Sequence, residues 1–300
     1  MTEFDRGVVA EFRANGGWGL EALVVCSKHV PVFIGSKRET SSSRRTCSAR
    51  TGETEDAMTK TAIVTGGSRG LGRGVVEALV GRGMRVIAVA RDRAQLEAAA
   101  RETKCETVVG DAADDVLAGK LIADHAPDLV VLAAGAMPPQ RAIHLQTWES
   151  FSHNWHIDTK SAFVWVRNAL LLPMKPGAHL VVISSGAALR GSPASGGYAS
   201  AKRAQWFIAD YAREEIARAK LGIRVQTLLP RLNASTALGR AGIAEYARRN
   251  GVTPEEYAKS FDPPLTPAIL GAAIVDLHEH PEKHEATAYV IGGKGLDLVP

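Results

Sequence analysis

The 300-residue sequence has few of the residue types that mark several large protein classes. Its three cysteines, Cys26, Cys47 and Cys105, are widely spaced and form no CxxC pair, which argues against a disulfide framework and against a zinc site. No apolar run approaches the roughly 18 residues that span a bilayer. Aromatic residues make up only 6%, and they do not alternate with a basic run, although the net charge is +4. We therefore expect a cytoplasmic protein that binds no metal, membrane or nucleic acid.

The first 57 residues do not share the pattern of the remainder. Residues 2–15 predict an amphipathic helix, and residues 23–25 and 30–34 predict short strands. Residues 36–56 contain no large apolar side chain, so they cannot bury enough surface to offset the entropy of ordering. We predict a poorly structured N-terminal extension, followed by a domain over residues 58–300.

The opening run FDRGVVAEFRANGG (residues 4–17) resembles the start of deazaflavin-dependent nitroreductases. The resemblance ends after these residues, which are too few to fold or to hold a cofactor. We interpret residues 1–57 as an appendage or as an upstream extension of the true reading frame, because the run after Met58 looks like a natural start.

From Met58 onward, strand and helix patterns alternate. A β-rich run at residues 61–65 precedes a glycine-rich turn, a helical pattern and a second buried strand at residues 84–90, which together predict a βαβ unit. Glycines let the backbone approach a phosphate, and the free N–H groups at a helix start stabilise its charge. A plain tight turn is the alternative. The turn residues assigned to a cofactor are Thr65, Gly66, Ser68, Arg69, Gly70, Leu71 and Gly72.

The end of the second strand indicates which dinucleotide binds. Enzymes selective for the unphosphorylated cofactor usually carry an acid there, which bonds the ribose 2′-OH. Here the position is Ala90, followed by Arg91, and Arg69 lies inside the glycine turn. Two guanidinium groups suit a 2′-phosphate, so we predict NADP(H). Alternatively, Arg91 is only a solvated charge at the end of a strand.

Further strands are predicted at residues 105–110, 128–136, 179–185, 222–230 and 288–292, of which 128–136 is read as fully buried. Long helices are predicted at residues 148–172 and 198–220. Asp111 follows the third strand, where its carboxylate can accept a hydrogen bond from an adenine amino group or cap a loop. Small residues at Ala133–Gly135 would let a cofactor pass across the end of the fourth strand.

The run YASAK places a phenol, Tyr198, and an ammonium, Lys202, on one face of a helix. A free tyrosine has a pKa of about 10, and a fixed positive charge beside it favours the phenolate. Ser185, at the end of the fifth strand, is placed to hydrogen-bond the same reacting oxygen. Such a pair also occurs on solvated helix faces, so its chemical role depends on the remainder of the chain.

The order and spacing of these motifs over residues 58–300 resemble the short-chain dehydrogenase/reductase superfamily. The resemblance implies an α/β fold, a Rossmann-like doubly wound parallel sheet of seven strands with helices on both faces. It implies that Tyr198 is the acid/base, that Lys202 binds the nicotinamide ribose and lowers the pKa of Tyr198, and that Ser185 steadies the carbonyl or alkoxide. The cofactor set is extended by Asp111, Ala112, Ala134, Gly135, Tyr198, Lys202 and Pro230.

The resemblance also implies a homodimer or homotetramer built on the two long helices. Candidate interface residues, which ordinary core packing explains equally well, are Trp155, Phe163, Trp165, Trp206 and Phe207.

Three positions depart from the family pattern. The usual NNAG after the fourth strand is LAAG at residues 132–135, and the PG after the sixth strand is PR, with Arg231 near the substrate mouth. The asparagine that holds a water in the family's proton relay corresponds to Asp158. An aspartate can also hold that water, but its carboxylate would alter the charge balance at Lys202. The insert at residues 232–264 corresponds to a substrate lid, and its arginines favour either an anionic substrate or a solvated helix face.

The sequence therefore predicts an NADPH-dependent oxidoreductase that acts on a carbonyl or secondary alcohol, with Ser185, Tyr198, Lys202 and Asp158 as the catalytic set. The alternative is a dinucleotide-binding regulator or sensor that keeps the fold and has lost turnover. Asp158 and the LAAG run favour the second hypothesis, and the intact Ser185, Tyr198 and Lys202 favour the first.

Overall fold

The computed structural model describes residues 59–172 and 174–300, and the predictions for residues 1–57 lie outside this range. Eight strands form one sheet in the order β3-β2-β1-β4-β5-β6-β7-β8. The strands are β1 (Thr61–Thr65), β2 (Arg85–Ala90), β3 (Glu106–Val109), β4 (Leu129–Leu132), β5 (His179–Ile183), β6 (Arg224–Pro230), β7 (Ala288–Gly292) and β8 (Gly295–Leu298). Strands β1 to β7 are parallel, so their carboxyl ends lie along one edge, and the strand order reverses between β1 and β4.

The central strands are nearly continuous apolar runs because helices cover both faces of the sheet there, whereas the edge strands β3 and β8 are largely exposed. In β1, Ile63 packs into the core on one face, while Ala62 and Val64 pack into the core on the other. Strands β4 and β5 alternate in the same way, as the period of two along a strand requires. The two cores hold the carboxyl ends of the strands in register.

The helices that cover the sheet are α1 (Gly70–Gly81), α2 (Arg93–Thr103), α3 (Asp115–His125), α4 (Trp148–Asn154), α5 (Lys160–Leu171), α6 (Ala187–Arg190), α7 (Gly197–Ala219), α8 (Ala237–Asn250), α9 (Pro254–Ala258) and α10 (Pro267–Glu279). Helices α3, α5 and α7 pack together on one face, and α1 packs against α10 on the other. A Cβ at Gly74 or Gly271 would overlap the backbone of the opposing helix, so these glycines set the close approach of α1 and α10. Within the described ranges, no helix has the length and hydropathy to cross a membrane.

The predicted α/β doubly wound sheet is confirmed, and the predicted strands and long helices coincide with observed ones to within a few residues. The sheet has an eighth strand that was not predicted: β8 is short, pairs antiparallel with β7 and carries the polar residue Asp297. The predicted helix over residues 148–172 is interrupted by a π-helical turn, Trp155–Thr159, which contains Asp158.

Candidate functional site

The glycine-rich turn joins β1 to α1 beneath the end of β4. Gly66 has a φ of 69°, and a Cβ there would lie 2.8 Å from the backbone of Ala134. Gly70 also has a positive φ, 57°, and begins α1. A side chain at either position would be strained, so the glycines keep the backbone N–H groups at the start of α1 open to the cavity.

Thr65 has a structural role that differs from its prediction as a cofactor residue. Its side chain is fully buried, and its Oγ1 accepts a hydrogen bond from the Ala134 N–H at 3.2 Å and lies 3.5 Å from the carbonyl of Val131. It does not line the cavity. Thr65 ties the end of β1 to the end of β4.

The predicted phosphate arginines lie at the same end of the cavity. Arg69 and Arg91 are exposed, both line the cavity, and neither forms an ion pair with a described residue. The nearby acid, Asp92, accepts hydrogen bonds from the backbone N–H of Gln95 at 3.0 Å and from its side-chain amide at 2.8 Å, as the N-cap of α2. Because both carboxylate oxygens of Asp92 are bound within its own helix, the arginines remain the available charges at this end.

Asp111 and Ala112 follow β3 and line the same cavity. One oxygen of Asp111 accepts a hydrogen bond from the N–H of Ala113 at 2.9 Å, so the carboxylate caps this loop, as one of its two interpretations expected. The Ala112 carbonyl accepts a hydrogen bond from the buried indole of Trp165 at 3.0 Å, which fixes the loop to α5. Trp165 is therefore a core residue rather than an interface residue.

Helix α7 presents Tyr198 and Lys202 to the carboxyl edge of the sheet. Both side chains are more than nine-tenths buried and both line the cavity. A Cβ at Gly197 would overlap the carbonyl of Phe151, so this glycine lets α7 begin against α4. Ser184, which the sequence analysis missed, donates from its Oγ to the Lys202 carbonyl at 2.7 Å and joins α7 to the end of β5.

The pKa of Tyr198 is raised, whereas the sequence predicted that Lys202 would lower it. Burial raises the pKa of the phenol above its usual value, and the negative charge of Asp158 acts in the same direction. The Lys202 ammonium, whose Nζ lies 5.7 Å from the ring centroid, and the Ser185 hydroxyl both lower this pKa, but burial outweighs them. Removal of the phenol from water disfavours the phenolate more than the neighbouring cation favours it.

Asp158 lies behind the cavity rather than in its wall. Its carboxylate is fully buried, with Oδ2 3.9 Å from the Nζ of Lys202. Oδ1 accepts the N–H of Ala136 at 2.7 Å, and Oδ2 accepts the side-chain amide of Asn154 at 3.0 Å. Asn154 was not predicted from the sequence, although its place one helical turn before Asp158 is a signal for contact.

The other end of the cavity is bordered by α8, α9 and the turn that follows them. Tyr246 stacks on Tyr257 with ring centroids 5.9 Å apart, and Tyr257 meets Phe261 edge to face at 5.7 Å. All three rings line the cavity, and the Tyr246 hydroxyl bonds the Ser192 hydroxyl at 2.6 Å. The side chain of Arg231 lies over Gly292, where a Cβ would be 3.2 Å from its Cδ, with the guanidinium near Asp297.

These residues enclose one continuous cavity of about 1230 Å³ at the switch point of the sheet. The predicted site residues that line it are Gly66, Ser68, Arg69, Gly70, Leu71, Gly72, Arg91, Asp111, Ala112, Ala134, Gly135, Ser185, Tyr198, Lys202 and Pro230. The cavity has glycines and an open helix start at one end, small residues across β4 in the middle, and Lys202 beyond them. This lining fits an extended dinucleotide. Within the described part of the chain, no cluster of side chains suits a metal ion.

Comparisons with known proteins agree with this architecture. A family model for short chain dehydrogenases matches residues 60–243. An uncharacterised short-chain type dehydrogenase/reductase of Sinorhizobium fredii is 28% identical over 206 residues, covering 66% of this chain and 82% of the relative. The L-xylulose reductase of Bos taurus is 34% identical over 148 residues, covering 48% of this chain and 60% of the relative.

Two solved structures share the fold. The crystal structure of levodione reductase has a TM-score of 0.67 at 21% identity, and a variant of actinorhodin polyketide ketoreductase, crystallised with NADPH, has a TM-score of 0.67 at 20% identity. In both cases the match covers 78% of this chain and 96% of the other. Together with the matched family model, the sheet order and the cavity at its switch point place this chain in the short-chain dehydrogenase family of oxidoreductases.

Proposed function

We propose that this protein is an NADPH-dependent oxidoreductase that interconverts a carbonyl and a secondary alcohol, with Tyr198 as acid/base. The observation that carries the proposal is the convergence of Tyr198, Lys202 and Ser185 on one cavity whose other end offers Arg69 and Arg91. The L-xylulose reductase relative supports a carbonyl substrate. In this proposal residues 58–300 form the dinucleotide-binding domain and residues 1–57 a separate extension.

In this proposal, different residues of the cavity bind different parts of NADPH. Arg69 and Arg91 bind the 2′-phosphate, and the N–H groups at the start of α1 face the pyrophosphate. Asp111 and Ala112 border the adenine, while Ala134, Gly135 and Pro230 border the nicotinamide half. Lys202 holds the nicotinamide ribose. When bound, the nicotinamide exchanges a hydride with the carbinol carbon of the substrate.

Tyr198 gives its proton to the carbonyl oxygen during reduction and takes it back during oxidation. Because burial raises the pKa of Tyr198, the phenol is protonated at neutral pH and ready to donate. The Ser185 hydroxyl stabilises the developing charge on the substrate oxygen, and Lys202 stabilises the phenolate that the transfer leaves behind.

A second function is favoured by one observation, the buried carboxylate of Asp158 beside Lys202. If this charge prevents the tyrosine from cycling, the protein is a dinucleotide-binding regulator or sensor. The two functions differ in turnover and not in binding, so measurement of both separates them.

The test is NADPH consumption by the full chain against ketones, aldehydes, quinones and sugars, with NADH in parallel. Turnover that prefers NADPH supports the reductase. NADPH binding without turnover on any class of carbonyl supports the sensor, and a clear preference for NADH contradicts the roles of Arg69 and Arg91.

We also propose a homo-oligomer built on the long helices. Phe163 on α5 and Phe207 on α7 are 53% and 43% exposed, and Tyr211 on α7 is 61% exposed. Phe207 and Tyr211 stack with ring centroids 6.3 Å apart, and α7 packs against α5, which carries Phe163. Exposed apolar surface of this kind is typical of an interface.

A further inference from the structure

The buried carboxylate of Asp158 and the buried ammonium of Lys202 face each other without a hydrogen bond. Their closest atoms, Oδ2 and Nζ, are 3.9 Å apart, whereas a charge-assisted N–H···O bond is about 2.7–2.9 Å long. Two such groups in a low-dielectric interior attract strongly. Something must therefore hold the carboxylate in place.

The restraint comes from Asn154. Its side-chain amide, only 1% exposed, donates one hydrogen to Oδ2 of Asp158 and the other to the carbonyl of Ala136, both at 3.0 Å. The N–H of Ala136 donates back to Oδ1 of Asp158 at 2.7 Å. Asn154 and Ala136 thus hold both oxygens of the carboxylate, and the amide uses both of its hydrogens to do so.

Lys202 is consequently free to face the cavity. Its Nζ donates one hydrogen bond, to the Ile183 carbonyl at 3.3 Å, and so retains two hydrogens for other partners. A Cβ at Gly135 would lie 3.2 Å from Oδ1 of Asp158 and 3.5 Å from the Nζ of Lys202, so the glycine keeps space open between them. A direct bond from Lys202 to Asp158 would occupy one of these hydrogens and move the ammonium away from the cavity.

We propose that Asn154 is a positioning residue, whose amide holds the Asp158 carboxylate away from Lys202 and so leaves the ammonium free for the nicotinamide ribose and the Tyr198 phenol. This inference rests on the proposed function. The described charged groups that act on the phenol are Lys202, on the same helix, and Asp158, on the π-helical turn packed against it; the Ser185 hydroxyl is the neutral partner after β5.

Without the amide, Oδ2 of Asp158 loses its donor and takes Lys202 as a replacement, because a buried unpaired carboxylate oxygen is costly. Affinity for NADPH then falls, since the ribose loses its cation. The same capture withdraws the positive charge from Tyr198. If Asp158 is first replaced by a neutral residue, no carboxylate draws Lys202 away from the cavity. Loss of the Asn154 amide then has little effect on the position of the lysine.

The test is a double-mutant cycle that measures NADPH affinity by fluorescence titration of the full chain. Asn154→Leu removes the amide at similar volume, and Asp158→Asn removes the charge. We expect Asn154→Leu to weaken NADPH binding about tenfold, as loss of a charge-assisted contact predicts. We expect the double variant to bind within about twofold of Asp158→Asn alone. If Asn154→Leu does not fold, as judged by thermal unfolding, Asn154→Ala replaces it.

Thr159→Val is the matched control, because Thr159 neighbours Asp158 but its hydroxyl donates to the carbonyl of Ala201 instead. Equal loss of affinity from the Asn154 substitution in both backgrounds would overturn the proposal, since a packing role does not depend on the charge of Asp158. No loss in either background would overturn it as well.

A pH profile of alcohol oxidation gives a second readout. Asn154→Leu should move the apparent pKa of turnover upward, because Tyr198 loses the influence of Lys202, and Asp158→Asn should move it downward. The fluorescence titration of NADPH needs no substrate. Its result therefore distinguishes failure of the role of Asn154 from failure of the proposed function. NADPH binding without the expected coupling contradicts only the role of Asn154, whereas failure of the wild-type protein to bind NADPH contradicts the proposed function.

Discussion

Tyr198 shows that a side chain's acidity depends on the depth at which it lies as well as on its neighbours. The spacing of Tyr198 and Lys202 correctly predicts their shared face and the sign of the lysine's effect on the phenol. Burial is a tertiary property that this spacing does not contain, and it reverses the net direction of the pKa shift. The residue pair can be read from the sequence, but its protonation state cannot.

The proposed preference for NADPH depends on two individual residues, Arg69 and Arg91. In a variant with both Arg69→Ala and Arg91→Ala, we expect kcat/KM with NADPH to fall about tenfold to a hundredfold, because two charge-assisted contacts to the 2′-phosphate are lost. The value with NADH should change less than about threefold, since NADH has no phosphate at this position. Steady-state kinetics with both cofactors provides the measurement.

Arg93→Ala is the control for this pair, since Arg93 is an exposed arginine two residues beyond Arg91 and does not line the cavity. It should leave the preference unchanged. An equal fall with NADPH and NADH in the double variant would indicate that Arg69 and Arg91 support the fold of the turn and do not read the phosphate.

At the level of elements, apolar patterning predicts the parallel strands most clearly where both faces are buried, as in β1, β4, β5 and β7, whereas β3 at the sheet edge is mostly exposed. Strand β8 escapes prediction because its four residues are exposed or half-buried and include Asp297. The interruption of the long helix at Trp155–Thr159 escapes for another reason, since apolar periodicity barely distinguishes a single π-helical turn from an α-helix. Asn154 lies immediately before this turn, so its role becomes visible only in three dimensions.

The elements α8 and α9 and the turn after them correspond to the proposed substrate lid, whose side chains should affect substrate binding. Phe261 follows α9 and lines the cavity at its substrate end, so Phe261→Ala removes apolar wall without touching Tyr198 or Lys202. We expect KM for the carbonyl substrate to rise about fivefold or more while kcat changes less than about twofold, as loss of uniform binding predicts. Initial rates over a range of substrate concentrations would separate the two constants.

Val252→Ala serves as the comparison, because Val252 lies in the same lid region, is half-buried and does not line the cavity. A similar rise in KM in both variants would mean that the lid responds to general loosening rather than to the loss of the Phe261 ring.

For the whole molecule, stability should depend on a buried histidine pair at the amino edge of the sheet. His179 and His278 stack with ring centroids 6.0 Å apart, and neither ring nitrogen of either residue bonds a described partner. Burial is the main cause that lowers the pKa of His179 well below 6.5 and that of His278 to about 4, with the nearby Arg224 acting in the same direction.

Between pH 6.5, the ordinary pKa of a histidine, and about pH 4, the pKa of His278 in the folded protein, the folded state thus binds fewer protons than the unfolded state. Stability is therefore full above about pH 6.5 and falls as the pH decreases toward 4. The shift of His278 corresponds to at most about 3 kcal/mol, less whatever solvent screening removes. His278→Gln should reduce the loss of Tm between pH 7 and pH 5, while His153→Gln, at an exposed histidine, should not. Equal pH slopes in all three proteins would exclude this origin.

Assembly is the second property of the whole molecule. Replacement of Phe163 by Glu should convert the proposed oligomer to monomer in size-exclusion chromatography with light scattering, because it places a charge in a buried interface. Val116→Glu, at a 79% exposed position on α3, should leave the mass unchanged. A wild-type protein that is already monomeric at micromolar concentration would contradict the assembly.

The proposed function requires that Tyr198 transfers the proton and that NADPH binds without the Tyr198 hydroxyl. It is tested most directly by measuring NADPH affinity and turnover together for the full chain and for Tyr198→Phe. We predict an NADPH dissociation constant within about threefold of wild type and turnover lower by about a thousandfold, as loss of general acid catalysis implies. A variant that binds NADPH and retains more than about a tenth of the wild-type rate would contradict this account.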